Sequence, residues 1–244
     1  MIQLINVSKT YKSISNSTNA LSNINVEFED HGFVFILGPS GSGKTTLLNV
    51  IGGLDKIDEG NIIIDDKDIS NYKSHELDYY RNEQVGFIFQ NYNLIDHLNI
   101  YENISLPLRI KKISNKEIKS TTNDIINKLG LEKEKHKYPN QVSGGQLQRT
   151  AIARALVTNP KIVLADEPTG ALDSKNSKII MDALKDISKD RLVIMVTHNE
   201  ELAKSYASRI IRLNDGKIES QEDISINEKK ESNVNKKENF KYIS

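Results

Sequence analysis

Short runs of consecutive apolar residues alternate along the chain with longer stretches whose apolar positions recur every three or four residues. The runs FVFIL at 33–37, IVLA at 162–165 and LVIMV at 192–196 are continuous rather than alternating, as expected of strands covered on both faces. Between 173 and 190, Ile180, Leu184 and Ile187 keep helical spacing, and Asp173 or Ser174 can cap the start. Residues 91–158 hold fewer β-branched runs and more helical pattern, including a helix over 116–129 stopped by Gly130. The pattern predicts an α/β protein with a largely parallel, buried sheet and an inserted helical lobe. The polar stretch 13–19 reads as a loop, and from about residue 221 the composition turns to Lys, Glu, Asn and Ser, which predicts a flexible extension or linker to 244. No internal repeat is visible.

The chain's 244 residues suffice for a sizeable core, with 37% hydrophobic and 27% charged positions. Lys and Arg number 33 against 33 Asp and Glu, so there is no electrostatic footprint for nucleic acid, and no nucleic-acid partner is expected. Zero cysteines exclude a disulfide framework, cysteine-ligated metals and a thiol nucleophile. The N-terminus lacks the pattern of a secretion signal and the apolar runs are too short to span a bilayer, so a membrane role calls for a partner.

Directly after the FVFIL strand stands Gly38-Pro39-Ser40-Gly41-Ser42-Gly43-Lys44-Thr45, matching G-x-x-x-x-G-K-[ST] at every fixed position, with Thr46 opening the helical pattern that follows. Glycines let successive backbone N–H groups curl around one anion, the helix N-terminus adds partial positive charge, and Lys44 adds a full one. Thr45 offers a hydroxyl to Mg²⁺. The IVLA strand ends in Asp166-Glu167, where a parallel sheet delivers its active residues. Asp166 suits the Mg²⁺ shell and Glu167 suits the water that attacks a γ-phosphate. ATP and Mg²⁺ are the expected ligands. A lone histidine after a strand carries little signal, and His31, His75, His97 and His136 read as structural or solvated.

The run Val142-Ser143-Gly144-Gly145-Gln146-Leu147-Gln148-Arg149, shortly before the carboxylates, is not expected of kinases or small GTPases. Over residues 2–218 the sequence resembles the ATP-binding cassette (ABC) ATPases, with Val142 where Leu is commoner. The resemblance implies a RecA-like P-loop core with an N-terminal antiparallel β-subdomain and a helical subdomain at about 91–158, the domain as a whole spanning 1–218 and a polar tail 219–244. It implies roles in the family's order: Tyr11 stacking on adenine, Gln90 touching Mg²⁺ or water, Ala171-Leu172-Asp173 as the loop facing a second cassette, and His198 contacting the γ-phosphate. It also implies a homodimer that sandwiches two ATP molecules, each glycine loop facing the partner's Ser143 to Gln146, so that Lys44, Gln90, Glu167 and His198 act on nucleotide held by both chains.

A finer similarity is to the subgroup serving macrolide, lipoprotein and antimicrobial-peptide systems, carried by GPSGSGKTTLLNVIGGLD at 38–55, YRNEQVGFIFQNYNLI at 80–95, YENISLPL at 101–108 and ADEPTGALDS at 165–174. This implies a transmembrane permease partner driven for efflux, antimicrobial-peptide resistance or lipoprotein and cell-envelope mechanotransmission, a coupling surface near residues 90–108, and a place on the cytoplasmic face of the cell membrane. The run DHGFVFIL at 30–37 is similar to members fused to their permease, which would make 221–244 a linker. The alternatives are a soluble ABC ATPase and a non-hydrolysing regulatory cassette. Neutral charge and a single uninterrupted cassette disfavour the first, and the presence of Glu167, Ser143 to Gln146 and His198 the second.

Overall fold

The computed structural model describes residues 1–13, 17–170 and 172–224, with the side chain of Lys175 excepted. In chain order these form β1 (Ile2–Lys12), β2 (Ser17–Phe28), β3 (Gly32–Leu37), α1 (Lys44–Ile51), β4 (Glu59–Ile64), β5 (Lys67–Asp68), α2 (Ser74–Gln84) and β6 (Val85–Ile88). Then come α3 (Ile100–Ile110), α4 (Asn115–Lys128), a 3₁₀ turn (Pro139–Gln141), α5 (Gly144–Leu156), β7 (Ile162–Asp166), α6 (Ser174–Ile187), β8 (Leu192–Thr197), α7 (Glu200–Tyr206), β9 (Arg209–Asn214) and β10 (Lys217–Asp223).

The three apolar runs become β3, β7 and β8, central in a six-stranded sheet ordered β10-β9-β3-β8-β7-β6. All neighbours are parallel except the β9–β10 pair. Both faces are covered because successive side chains point to opposite sides. Val34 and Ile36 pack with Leu47, Leu48, Val50 and Ile51 of α1 and with the apolar face of the smaller sheet. Phe33, Phe35 and Leu37 pack instead against Ile180, Met181 and Leu184 of α6 and Ile152 of α5. Phe35 is fully buried, and its replacement by Ala would cost about 3–5 kcal/mol. The smaller sheet, ordered β2-β1-β4-β5, is antiparallel throughout.

Helices α3, α4 and α5 enclose their own core around Ile100, Ile104, Leu108, Ile118, Ile126 and Leu131, and lie within 91–158. Ser114 caps α4 through its hydroxyl, and α6 starts at the Asp173 cap. Helix α5 joins the two bodies: Ile152 and Ala155 face the large sheet while Ala153 and Val157 face the lobe.

Two polar segments behave differently from the sequence expectation. Residues 17–19, expected in a loop, start β2 and pair with 10–12 of β1; residues 219–223, expected in the tail, belong to β10. Both are edge strands, where backbone pairing with one neighbour suffices and no apolar face is needed. The expected tail from 225 to 244, the loop positions 14–16 and Ala171 lie outside the described residues.

Candidate active site

The parallel strands deliver their following loops to one end of the sheet, and there the glycine loop wraps the start of α1. Its path depends on two close approaches. A Cβ on Gly43, whose φ is 100°, would stand 2.3 Å from the carbonyl oxygen of Ala20; one on Gly38 would stand 2.1 Å from that of Leu213. The loop is therefore clamped between β2 and β9, and only glycine fits. Lys44 is largely buried and donates from Nζ to the carbonyls of Gly38 (2.9 Å) and Pro39 (2.7 Å), which places its charge over the loop.

Thr45 Oγ1 donates to Asp166 Oδ2 at 3.1 Å. Burial pushes the Asp166 carboxyl above its ordinary range and the neighbouring charge of Glu167 adds to this, opposed by the Thr45 hydrogen bond and the charge of Lys44. The next residue, Glu167, has a left-handed φ of 43°, which turns its side chain away from that of Asp166. Its Oε1 lies 2.9 Å from Nδ1 of His198, just past β8, while its backbone N–H donates to Val196 O at 3.0 Å.

A cleft of about 530 Å³ is lined by Tyr11, Thr18, Ala20, Ser40, Gly41, Gly43, Lys44, Thr45, Thr46, Gln90, Asp166, Glu167 and His198. The structure thus brings together the glycine loop, both carboxylates, Gln90, His198 and Tyr11. His31, His75, His97 and His136 do not line it. Thr45 hydroxyl, Gln90 amide and Asp166 carboxylate form an all-oxygen donor set of the kind Mg²⁺ takes. Among the described residues there is no group of three or more His, Cys, Asp or Glu fit to hold a metal. Such a set fits an ion completed by phosphate and water, the usual habit of Mg²⁺. A separate cavity of about 360 Å³, lined by Met1, Asp30, Asp65, Gln84, Lys161 and Asp190 among others, contains none of the expected site residues.

Ser143 to Gln146 and Asp173 do not line the cleft. Ser143 and Gly144 are exposed at the start of α5, where a capping box sets the helix end: Ser143 N donates to Gln146 Oε1 (2.8 Å) and Gln146 N to Ser143 Oγ (3.4 Å). Asp173 caps α6 by accepting from Asn176 N at 2.8 Å, and Asn176 in turn packs against Gly145 and accepts from Arg149 Nη1 at 3.4 Å. The two segments thus form one surface, separate from the cleft.

Residues that local sequence reading missed tie these parts together. Arg154 of α5 donates to the carbonyls of Tyr92 (2.7 Å) and Asn93 (2.5 Å), two consecutive residues with φ of 61° and 48°. Buried Asn103 accepts from Ile95 N and donates to the carbonyls of Ile95, Leu98 and Asn99, fixing the chain beyond Gln90. Asp55 binds Tyr11 and Lys9. The partners of Arg154 and Asp55 lie tens of residues away, and no local spacing marks them.

Residues 21–170 match the model of the ABC transporter family. The chain is 43% identical over 223 residues to the bacitracin export ATP-binding protein BceA of Halalkalibacterium halodurans, covering 91% of this chain and 88% of that one. It is 42% identical over 219 residues to the macrolide export ATP-binding/permease protein MacB of Campylobacter fetus, covering 89% of this chain and 34% of MacB. A dimeric structure of the ATP-binding cassette MJ0796 in a post-hydrolysis state, bound to ADP and Pi, superimposes with a TM-score of 0.87 at 43% identity, covering 92% of this chain and 99% of that one. By sequence and by fold, the chain belongs to the ABC transporter family as an ATP-binding domain that hydrolyses ATP.

Proposed function

We propose that the chain is the ATPase subunit of an exporter, pairing head to tail with a second cassette and driving a transmembrane permease for efflux or antimicrobial-peptide resistance. The single observation that carries this reading is the split site: the cleft gathers the glycine loop, Gln90, Asp166, Glu167 and His198, whereas Ser143 to Gln146 and Asp173 are not among its lining. A second chain supplies what one chain holds at a distance. The names of BceA and MacB support export as the setting. The permease also accounts for a place on the cytoplasmic face of the membrane, since no described helix is long and apolar enough to cross it.

In the mechanism that follows, the backbone N–H groups of Gly41, Gly43 and Lys44 and the Lys44 ammonium hold the β- and γ-phosphates, with Gly38, Pro39, Ser40, Ser42 and Thr46 shaping the cradle. Tyr11 offers its ring to the adenine. Thr45, Gln90 and Asp166 would hold Mg²⁺, which neutralises phosphate charge and orients the γ-phosphoryl group. Glu167 accepts a proton from the attacking water as the water oxygen bonds to Pγ, the bond to the β,γ-bridging oxygen breaks, and ADP leaves as the anion. His198, whose Nδ1 lies at Glu167, contacts the γ-phosphate and the attacking water. The partner's Ser143 and the N–H groups of its Gly144 and Gly145 stabilise the charge that develops there.

A groove of about 570 Å³ between the core and the helical lobe, lined by Phe87, Phe89, Asn93, Pro107, Ile110 and Arg154, is the proposed seat of the permease. It overlaps the segment 90–108 expected to couple, and Ile110 projects there at 62% exposure. Size-exclusion chromatography with light scattering on Glu167→Gln tests the reading: ATP with Mg²⁺ is expected to convert monomer to dimer. A protein that binds ATP by titration yet stays monomeric, even alongside its permease, would overturn the sandwich.

A further inference from the structure

We propose that Asp55 is a positioning residue for the nucleotide base: it fixes the Tyr11 ring over the cleft and thereby ties the base subsite to the same helix that holds the phosphates. The inference rests on the reading of Tyr11 as the base platform. Tyr11, 43% exposed as a residue, lies on β1 at the rim of the cleft, which it lines together with the glycine loop. Left alone, such a side chain would sample several rotamers and would lose that freedom on stacking.

A connected set of contacts removes the freedom in advance. The Tyr11 hydroxyl donates to Asp55 Oδ2 at 2.6 Å. The other oxygen, Oδ1, accepts from Lys9 Nζ at 2.9 Å and from the backbone N–H of Lys56 at 2.8 Å. Lys9, itself nearly buried, also donates to the Lys56 carbonyl at 2.6 Å and lies 5.2 Å from the centroid of the Tyr11 ring, over its face. A cation on one face leaves the opposite face as the one available to a flat base. Burial alone would raise the Asp55 pKa; the hydrogen bonds from Tyr11, Lys9 and Lys56 outweigh it and hold the carboxyl below its ordinary value.

Asp55 in turn is fixed to α1. The carbonyl of Asn49 in that helix accepts from the N–H groups of Leu54 (2.8 Å) and Asp55 (3.2 Å). The N-terminus of α1 carries Lys44 and Thr45, and Asp55 lies four residues past its last residue, Ile51, in a turn bonded back to Asn49, so the helix and this turn set the distance between the triphosphate and base positions. Such preorganisation improves binding without adding a contact.

The test compares ATP with inorganic tripolyphosphate, which uses the glycine loop and has no base. In the full chain, calorimetric titration of Tyr11→Ala is expected to show ATP affinity reduced about tenfold, the scale of a lost base–aromatic stack. Asp55→Ala and Tyr11→Phe are each expected to weaken ATP about threefold, as the Tyr11–Asp55 bond is lost in both. The double variant should be no weaker than either single, because both remove that same bond. Tripolyphosphate affinity should stay unchanged in all of them. Equal losses for ATP and tripolyphosphate would overturn the proposal, because Asp55 would then support the loop or the fold. A loss in Tyr11→Ala with none in Asp55→Ala or Tyr11→Phe would overturn the tether while leaving the base platform intact. No loss in Tyr11→Ala would remove the platform itself, and the proposal with it.

Discussion

Nδ1 of His198 lies 2.9 Å from Oε1 of Glu167, joining the ends of two adjacent parallel strands, β8 and β7. The pair depends on the backbone turn at Glu167, where a left-handed φ of 43° in a residue other than glycine costs about 1–3 kcal/mol. The bonds from Glu167 N to Val196 O and from Gly170 N to Glu167 O hold that turn. If the carboxylate is the general base, Glu167→Gln should reduce kcat for phosphate release by about a hundredfold or more while leaving the ATP dissociation constant nearly unchanged. Because the two side chains act as one unit, His198→Ala in the Glu167→Gln background should lower kcat little further.

Gly43→Ala addresses the phosphate cradle. The added methyl would sit 2.3 Å from the Ala20 carbonyl at a φ of 100°, and the obstacle is backbone that cannot swing away. The loop must shift from its position over α1, so titration is expected to show loss of measurable binding of both ATP and tripolyphosphate. Gly41→Ala is the control: φ is also positive, at 81°, but nothing lies within 4 Å of the added carbon, so its effect should be smaller.

The contrast between these glycines and the rest of the site shows what the sequence could disclose. The strands β3, β7 and β8 are continuous apolar runs, and the cradle, carboxylates and capped helix starts follow them at short fixed spacings, so local pattern exposes them. Strand β1 is less legible. Register shifts between Leu4 and Val7 and again near Lys9, with Asn6 at a φ of 53°, break the period-two alternation after Ile2 and Leu4. The polar edges of β2 and β10 carry no hydrophobic signal at all. Within the site, Asp55 and Arg154 act on partners 44 and about 60 positions away through bonds that only the fold creates.

Arg154 is the latch between α5 and the segment after Gln90. Its guanidinium holds the carbonyls of Tyr92 and Asn93 in consecutive left-handed conformations, and the Tyr92 hydroxyl stands 3.5 Å from where a Cβ on Gly144 would be. Arg154→Ala leaves the carbonyls of half-buried Tyr92 and exposed Asn93 without this donor, which costs about 1 kcal/mol and lowers Tm by about 3 °C in a chain of this size. Beyond that stability loss, hydrogen exchange at 90–98 should accelerate at temperatures where the variant is fully folded. Arg154→Lys, with one point charge for a planar fork, should fall between the two. Unchanged exchange in that segment would show that the latch is dispensable.

Asp166 sets stability against activity, and the sign follows from its environment. Burial and the Glu167 charge raise its pKa in the folded chain, so the fold favours the neutral form. Its contribution to stability is therefore full in acid and lost as pH rises through the raised value. Asp166→Asn imposes neutrality at every pH and keeps an oxygen for Thr45. Near neutrality the variant should melt above the parent in the absence of nucleotide, and the gap should close as pH falls through the ordinary carboxylate range, where both side chains are neutral. Magnesium-dependent ATPase activity should fall at the same time, because the amide brings no charge to the ion. Thermal unfolding across pH checks the prediction: a variant less stable than the parent near neutrality would mean that the Thr45–Asp166 bond, rather than the desolvated charge, dominates at this position.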